Sequence, residues 1–346
     1  MLTSIKQSIF EAAGRLGRCS VTDTLVIAGV PRAGTTWLLE LLRTLPGRKA
    51  LNEPLLYQRA RHEYGFGWHK YIAPGDEAPR QRQYLEQVLE GQAREIAAWF
   101  FEAESQPGKV LEHATRNRLI VKFCRLNRAL RWFARQFDVQ RLVLMVRHPC
   151  AIVASMLQQG AWKESRLRGH GPSRAEQALH GGTLPEALRD PFEPVLERIT
   201  TQAEVLAVHW CLDHYVPLLQ HTEDGYPWAL APYERLVTRG IEELRRITEA
   251  LGVNLTAAMQ NRLREPSSSV VDSVHEEPER QLTKWRRRLS ERQVDDILTV
   301  IDEVGLSRFY TDADEPDYDR LNDCQKKSAR WEAQSEGVSR SLDPSA

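Results

Sequence analysis

The feature that most constrains this chain is a short apolar strand that turns through glycine and proline directly into a helix. Residues 25–29, Leu-Val-Ile-Ala-Gly, predict the strand, and the helix is expected to begin near Gly34. Gly29 and Gly34 let the backbone turn tightly and approach a ligand closely. The first turn of a helix offers unpaired N–H groups and the positive end of its dipole, so this segment predicts a phosphate-binding loop.

The two glycines have the spacing of a P-loop, G-x-x-x-x-G-K-[ST], but the lysine of that motif is missing. Thr35 occupies the lysine position, and the cation of the loop is Arg32. A nucleoside-triphosphate site uses the lysine on the outer phosphates and a metal ion beside the hydroxyl. The loop therefore argues against ordinary kinase or ATPase chemistry, and we expect a site that requires no metal.

A second segment, residues 141–155, combines an apolar strand, then Arg147-His-Pro, then a helix that carries Ser155. The guanidinium of an arginine presents a planar fork to phosphate oxygens. Pro149 suits the first turn of a helix, and Ser155 can add one hydroxyl donor. The chain thus provides two separate strand ends, each with groups that bind a phosphate.

The two segments resemble the nucleotide-binding segments of sulfotransferases, which take the sulfuryl group from 3′-phosphoadenosine 5′-phosphosulfate (PAPS). Residues 31–37, Pro-Arg-Ala-Gly-Thr-Thr-Trp, are similar to the family's 5′-phosphosulfate loop. The resemblance implies that Arg147 and Ser155, which keep the family's spacing, hold the 3′-phosphate. It also implies that the 5′-phosphate is held by Arg32, Ala33, Gly34, Thr35 and Thr36.

Two further segments carry the resemblance toward the C-terminus. Tyr233-Glu-Arg-Leu is similar to the family's Tyr-Glu-x-Leu segment, whose tyrosine lies near the adenine, and Trp37 is expected to stack there too. Lys284 and Trp285 lie in a basic segment that resembles the one that closes over the nucleotide. This segment lacks the glycines of the cytosolic branch. The chain is therefore more similar to carbohydrate-type and bacterial sulfotransferases than to the phenol and steroid branch.

Apolar runs that alternate with helical patterns predict an α/β fold. This alternation implies a central, mainly parallel sheet with helices on both faces, a three-layer sandwich. The resemblance implies the P-loop-containing nucleotide hydrolase-like fold of sulfotransferases. Ligands then bind where loops leave the carboxyl ends of the strands. Strands are expected at 25–29, 118–122, 141–146 and 227–231, and helices at 34–45, 81–104, 125–136, 149–158, 194–221, 240–251, 255–263 and 290–304.

The chain has 346 residues, and most of it is expected to form one domain. We expect an N-terminal amphipathic helix over 1–20, a sulfotransferase domain over 21–311, and a polar, flexible tail over 312–346. Lys plus Arg and Asp plus Glu number 47 each, so the overall charge does not indicate a nucleic-acid partner. A homodimer stays open.

The compartment is predicted from cysteine use and from apolar runs. The five cysteines form no Cys-x-x-Cys pair, which favours buried thiols in a reducing compartment over disulfides or a zinc site. No apolar run approaches the roughly 18–20 residues that span a bilayer, and the N-terminus lacks a signal-peptide core. We therefore expect a cytoplasmic protein without integral membrane association.

The resemblance implies that the sulfuryl group of PAPS moves to an acceptor hydroxyl by in-line displacement, which leaves 3′-phosphoadenosine 5′-phosphate (PAP). The reaction needs positive groups at the leaving phosphate, alignment of the acceptor with sulfur, and a base. Arg32 and the loop amides are expected to stabilise the leaving phosphate. Lys122 matches the lysine of the Lys-Thr-His segment in the cytosolic branch, and we expect it at the bridging oxygen or the sulfuryl group.

The base is expected to differ from that of the cytosolic branch. Cys124 stands in place of the histidine base of that branch, and it is a poor base because the unperturbed thiol pKa is about 8.5. The segment Asn-Glu-Pro-Leu at 52–55 resembles the Glu-Pro-Leu segment of carbohydrate sulfotransferases, in which a glutamate is the proposed base. Glu53 is therefore the expected base, and His113 is the alternative.

The acceptor is less constrained than the donor. Residues 55–80 and 160–194 are rich in aromatic and polar side chains, which suit a sugar, a phenol or a lipid headgroup. The Glu53 segment favours a carbohydrate or a glycosylated or hydroxylated small molecule. Two alternatives stay open: a nucleotide kinase-like P-loop enzyme, and a nucleotide-binding protein without catalytic activity.

Overall fold

A five-stranded sheet organises the computed structural model, which describes residues 8–9, 12–93, 107–220, 227–268 and 278–326. The strands lie in the order β2-β3-β1-β4-β5. Their bounds are β1 Leu25–Gly29, β2 Arg48–Asn52, β3 Arg118–Phe123, β4 Arg141–Val146 and β5 Ala229–Pro232. The α/β class predicted from the sequence, with a central parallel sheet flanked by helices, is confirmed.

Sixteen α-helices have both ends within the described part of the chain. They are α1 Thr35–Leu42, α2 Gln58–His62, α3 Pro79–Leu89, α4 Pro107–Thr115, α5 Leu130–Gln136, α6 Pro149–Leu157, α7 Glu164–Leu167, α8 Arg174–Ala178, α9 Arg189–Arg198, α10 Gln202–Leu218, α11 Tyr233–Arg239, α12 Ile241–Ala250, α13 Ala257–Leu263, α14 Pro278–Leu282, α15 Glu291–Glu303 and α16 Tyr318–Lys326. Short 3₁₀ helices lie at Val21–Asp23, Pro54–Leu56, Asn127–Ala129, Gly160–Trp162, Arg168–His170, Glu186–Leu188 and Thr283–Arg287.

The register of the sheet brings three carboxyl strand ends side by side. β1 pairs in parallel with both β3 and β4, with Gly29 opposite Met145. β2 pairs in parallel with β3, with Asn52 opposite Lys122. The residues that follow β1, β2 and β3 therefore emerge at one edge of the sheet, where parallel α/β folds bind ligands.

β2 was not predicted from the sequence. Its first two residues, Arg48 and Lys49, are charged, so the strand lacks an apolar run. Both side chains are nevertheless buried and hydrogen-bonded. Arg48 donates to Oε1 of Gln140 at 2.6 Å, and Lys49 donates to the carbonyl of Gly17 at 2.6 Å. These partners lie far away in the sequence, so the local pattern did not reveal the strand.

The helix predicted over 194–221 is two helices in the structure. α9 ends at Arg198, and α10 begins after Thr201, whose hydroxyl accepts a hydrogen bond from the Glu204 N–H while the Glu204 carboxylate accepts one from the Thr201 N–H. This capping box satisfies N–H groups at the start of α10 and so favours a new helix over a continuous one. The helix predicted over 81–104 begins at Pro79 and ends at Leu89, so the predicted end is wrong; residues 94–104 lie outside the described residues.

Two compact units make up the chain. The first comprises Met1–Arg147 and Ala231–Lys284, and the second comprises His148–Leu230 and Trp285–Ala346. In the first unit, β1 is fully buried up to Ala28, and α1 packs on β1, β3 and α13. The core of this unit thus fixes α1 directly behind the glycine-rich loop.

In the second unit, α10 packs against α6, α8 and α15. Trp210 of α10 is buried and meets Tyr310 edge to face, with ring centroids 5.7 Å apart. His148 caps the start of α6: its Nδ1 accepts from the Cys150 N–H at 3.2 Å, and its Nε2 lies 3.0 Å from the Thr311 carbonyl oxygen.

The predicted terminal segments are described only in part. Residues 12–16 are helical, as are residues 8–9, while the rest of the range 1–11 lies outside the described residues. α16 falls within the range expected to be a polar tail, and its Leu321 is buried. Residues 327–346 lie outside the description, so the domain boundaries stay a prediction. No helix in the described ranges is both long and apolar enough to cross a membrane.

Candidate active site

The loop between β1 and α1 needs glycine at both positions that the sequence indicated. A Cβ atom on Gly29 would lie 2.6 Å from Cγ2 of Thr35 and 2.8 Å from the Met145 carbonyl oxygen. Gly34 has φ 96°, and a Cβ atom there would lie 2.6 Å from Cδ2 of Tyr233. α1 begins at the next residue, so its first N–H groups follow the loop directly.

Two arginines from neighbouring strand ends meet at this loop. Arg32 follows β1 and has φ 73°, a conformation that is strained for a residue other than glycine. Arg147 follows β4 and donates from Nη1 to the carbonyl oxygen of Arg32 at 2.9 Å. Burial lowers the pKa of Arg32, and the positive charge of Arg147 lowers it further. Because both effects disfavour the charged side chain, an anion bound at the loop would stabilise it.

Aromatic side chains lie beside the two arginines. The guanidinium carbon of Arg147 lies 4.0 Å from the ring centroid of Tyr233, which opens α11. Trp37 of α1 meets the same ring edge to face, with centroids 6.1 Å apart. The Tyr233 hydroxyl accepts a hydrogen bond from Nε2 of Gln281 at 3.1 Å. Loop, arginine and aromatic rings are thus brought together within the first unit.

Glu53 lies between two cations at the ends of β2 and β3. Its carboxylate is 3.3 Å from Nζ of Lys122 and accepts from Nη1 of Arg125 at 3.0 Å. The side chain is buried, and the Glu53 N–H donates to the Lys122 carbonyl oxygen at 2.9 Å. Lys122 also donates to Oγ1 of Thr36 at 3.2 Å. Lys122 therefore connects the glycine-rich loop to Glu53.

The ion pair keeps Lys122 charged. Burial alone would lower the pKa of Lys122, but the charge and the hydrogen bond of the Glu53 carboxylate hold it above its usual value. The ammonium group can therefore stabilise negative charge near the loop at neutral pH.

Cys124 stays protonated in this surrounding. Burial and the nearby Glu53 charge raise the pKa of the Cys124 thiol to about 12, and its sulfur lies 3.4 Å from Oγ1 of Thr35. A neutral thiol packed on the loop cannot serve as a general base, as the sequence indicated.

His113 lies away from the loop. Its Nδ1 is 3.1 Å from Nζ of Lys49, which stands near the amino end of β2, whereas Glu53 follows the carboxyl end of the same strand. Burial, with a smaller effect from the Lys49 charge, lowers the pKa of His113 to about 3. The structure does not bring His113 to the residues that follow the strands.

Three further expected residues follow β4 in the chain: Ser155, Lys284 and Trp285. Ser155 lies on α6 in the second unit, and Lys284 is in the 3₁₀ helix Thr283–Arg287. Trp285 was expected at the nucleotide, but its ring is only 2% exposed and stacks on His148 at 4.9 Å. A ring enclosed in this way contributes to packing in the second unit.

Sequence reasoning missed two residues near Glu53, Arg61 and Arg125, while it placed their neighbour Trp68 in the segment expected to bind the acceptor. Arg125 follows Lys122 by three positions, but its partner Glu53 lies on a different segment, so no local spacing links them. Trp68 and Arg61 lie in the aromatic segment expected to bind the acceptor, where the cation and the ring lie 4.1 Å apart. The aromatic and basic residue types of this segment indicated a binding loop, but the sequence does not show which of these side chains contact each other.

No group of three or more His, Cys, Asp or Glu side chains in the described ranges is arranged to hold a metal ion.

A search of curated proteins found no match. Three solved structures similar to this chain are sulfotransferases of low sequence identity. A sulfotransferase domain from the Synechococcus PCC 7002 olefin synthase is 19% identical, with 81% of this chain and 94% of that chain covered and a TM-score of 0.43.

Two other solved structures give similar values. A sulfotransferase domain from the curacin biosynthetic pathway is 16% identical, with 84% of this chain and 98% of that chain covered and a TM-score of 0.44. Sulfotransferase STF9 from Mycobacterium avium is 15% identical, with 71% and 68% covered and a TM-score of 0.33. The family model described as the sulfotransferase domain matches residues 22–297. Because that match includes most of the chain, from before β1 to within α15, this chain belongs to the sulfotransferase family.

Proposed function

We propose that the chain transfers the sulfuryl group of PAPS to the hydroxyl of a carbohydrate or of a hydroxylated small molecule. The observation that carries the proposal is the meeting of Arg32 and Arg147 at the glycine-rich loop, beside the ring of Tyr233. An adenosine with phosphates at two positions needs such a set: two cations, a helix N-terminus and an aromatic face. The loop has no lysine at the P-loop position, so it is poorly suited to a metal-bound nucleoside triphosphate.

The loop residues would bind the 5′-phosphate. The N–H groups of residues 34–36 stand at the start of α1, whereas the Ala33 N–H already donates to the Val30 carbonyl oxygen at 3.1 Å. The hydroxyl of Thr36 accepts a hydrogen bond from Lys122. When the bond between sulfur and the bridging oxygen breaks, negative charge develops on the phosphate. Lys122 and Arg32 would stabilise that charge, and electrostatic stabilisation of this kind is usually the largest single contribution to catalysis.

Glu53 would accept the proton of the acceptor hydroxyl as the oxygen attacks sulfur. Its carboxylate contacts Lys122, and Lys122 also contacts Thr36 at the start of α1. One cation therefore lies between the proposed base and the loop proposed to bind PAPS. The proton passes to the carboxylate, the sulfuryl group passes to the acceptor oxygen, and PAP is left as the second product. The family membership supports sulfuryl transfer, while PAPS and the hydroxyl acceptor are our proposal.

Titration with PAP and with ATP, each with and without Mg²⁺, tests the donor. We expect PAP to bind without Mg²⁺ and ATP not to displace it. Tight binding of ATP with Mg²⁺ and weak binding of PAP would instead favour a kinase-like enzyme.

Labelled PAPS incubated with a panel of hydroxylated acceptors tests catalysis. We expect label to move to at least one acceptor with release of PAP. Binding of PAP without transfer to any acceptor would favour a nucleotide-binding protein that has no catalytic activity.

A further inference from the structure

Beyond Glu53, the site continues into a pair of arginines on one tryptophan, which we call the arginine clamp: Arg61, Trp68 and Arg125. The guanidinium carbon of Arg61 lies 4.1 Å from the ring centroid of Trp68, and that of Arg125 lies 5.6 Å from it. Arg125 also binds the Glu53 carboxylate at 3.0 Å. The contacts therefore run from the glycine-rich loop through Lys122 and Glu53 to the clamp.

Positive charge exceeds negative charge in this cluster. One carboxylate, that of Glu53, faces both Lys122 and Arg125. Arg61 has no carboxylate partner in the described part of the chain, and its pKa is lowered by burial and by the charge of Arg125. Two residues earlier on the same helix, Arg59 is neutralised by Glu63 at 3.2 Å. The charge of Arg61 is thus the one that a further anion would balance.

Unpaired hydrogen-bonding atoms point to the same conclusion. Nε of Arg61 and Nε of Arg125 are buried without an acceptor among the described residues. A buried donor without a partner is costly, and guanidinium groups pair best with the oxygens of a carboxylate or a phosphate. Two such donors beside one tryptophan, next to the base, indicate a ligand group that carries oxyanion oxygens.

We propose that Arg61 and Arg125 bind an oxyanion of the acceptor, a carboxylate or a phosphate, and so select acidic hydroxyl compounds over neutral ones. The cation–π contact with Trp68 fixes the guanidinium of Arg61, which lowers the entropy lost when it binds the anion. Glu53 then meets the hydroxyl of an acceptor whose acid group is already held. The inference rests on the proposed sulfuryl transfer and adds the chemical class of its acceptor.

Matched pairs of acceptors test the proposal: 4-nitrophenyl β-D-glucuronide against the glucoside, and glucose 6-phosphate against glucose. Each is measured for binding to the protein saturated with PAP, by calorimetry, and for sulfuryl transfer from labelled PAPS. We expect the acidic member of at least one pair to bind and react about 10- to 100-fold better. The uronic acid and the phosphate ester distinguish which oxyanion the clamp accepts.

Variants assign the preference to the clamp. Arg61→Ala should reduce the preference for the acidic acceptor by about 10-fold or more, with unchanged PAP affinity. Arg61→Lys keeps the charge without the fork and should restore part of the preference. Arg82→Ala removes an exposed charge that Glu86 already neutralises at 3.1 Å on α3, outside the acceptor segment, and it should have no effect.

The possible failures are distinct. If neither acidic member binds the PAP-saturated protein better than its neutral partner, the acceptor class is wrong even when PAP binds as expected. If Arg61→Ala weakens PAP itself, Arg61 belongs to the donor site and the inference fails. Absence of PAP binding to the unaltered protein would count against the proposed function and not against the clamp alone.

Discussion

At Glu53 the backbone adopts φ 55°, a left-handed conformation that costs a residue other than glycine roughly 1–2 kcal/mol. The surroundings that impose it are visible: β2 ends one residue earlier, Pro54 follows, and the carboxylate pairs with Lys122 and Arg125. Strained residues of this kind often lie at functional sites. The left-handed backbone directs the Glu53 carboxylate toward Lys122, which in turn contacts Thr36 after the glycine-rich loop.

Replacement of Glu53 tests its role as base. Glu53→Gln should lower the rate of sulfuryl transfer by about 10²-fold or more, because the amide cannot accept the proton. PAP affinity should stay nearly unchanged, since Arg32 and Arg147 are kept. The rate is measured with labelled PAPS at saturating acceptor, and PAP affinity by calorimetry. Glu63→Gln, a change of the same kind on an exposed side chain, is the control. Wild-type turnover in Glu53→Gln would rule out the role.

Arg147 is tested by nucleotide affinity. Arg147→Ala should weaken PAP binding by about 10- to 100-fold, since a charge-assisted bond to a phosphate and the hydrogen bond that holds the Arg32 carbonyl are both lost. Calorimetric titration with PAP measures the effect. The control is Arg141→Ala, at the opposite end of the same strand. Equal affinities for the Arg147 variant and the unaltered protein would contradict the proposed donor site.

At the scale of elements, the join between β1 and α1 depends on a close approach of two distant segments. The ring of Tyr233, at the start of α11, occupies the space in which a side chain on residue 34 would lie. The absence of a side chain at Gly34 thus lets an aromatic ring reach the loop. The guanidinium of Arg147 lies over the same ring, 4.0 Å from its centroid.

Two glycine substitutions separate backbone strain from this contact. Gly34→Ala should lower the free energy of unfolding by about 2 kcal/mol or more and weaken PAP binding at least about 10-fold, because Tyr233 must move. Gly47 has φ 71°, but no atom lies within 4 Å of a Cβ added there. Gly47→Ala should therefore lower the free energy of unfolding by only about 1 kcal/mol and leave PAP affinity unchanged. Urea unfolding and calorimetry check both variants. Similar PAP affinities in the two would show that the Tyr233 contact is unimportant.

At the scale of the whole molecule, buried histidines link stability to pH. Burial, as the largest cause, lowers the pKa of His148 and of His214 to about 4 and that of His113 to about 3. In His148 the acceptor Nδ1 faces the Cys150 N–H, so a second proton would disrupt the cap of α6. In His214, Nδ1 lies 2.7 Å from the Trp210 carbonyl oxygen and Nε2 is buried without a partner among the described residues.

The direction of this pH dependence follows from proton uptake. The unfolded chain binds these protons below a pH of about 6.5, while the folded chain does not, so stability is present above that pH and is lost as pH falls toward the folded values. Between pH 7 and 5.5 each histidine should reduce the free energy of unfolding by about 1 kcal/mol. Urea unfolding at the two pH values measures the loss. His214→Phe, which keeps an aromatic ring against Trp210, should show a loss smaller by about 1 kcal/mol. An identical pH dependence in the variant would exclude His214 as a contributor.

Local patterns predicted some parts of this molecule well and others poorly. β1 and β4 are runs of apolar residues followed by Gly29 and by Arg147, so their bounds and the loop after them could be read directly. β2 could not, because its charged side chains are buried through partners distant in sequence. For the same reason the pairing of Glu53 with Arg125 was missed. The residue types of the site can be read from short segments of the sequence. Which of these residues pair with each other depends on the register of the sheet.

The register also has a consequence for the order in which this protein is made. β1 leaves the ribosome before both of its neighbours in the sheet, the strands that begin at Arg118 and Arg141, and Tyr233 follows much later. Pairings between residues so far apart form slowly, since a long stretch of chain must first be ordered. During synthesis β1 therefore stays without its neighbours until the end of β4, at Val146, has been translated.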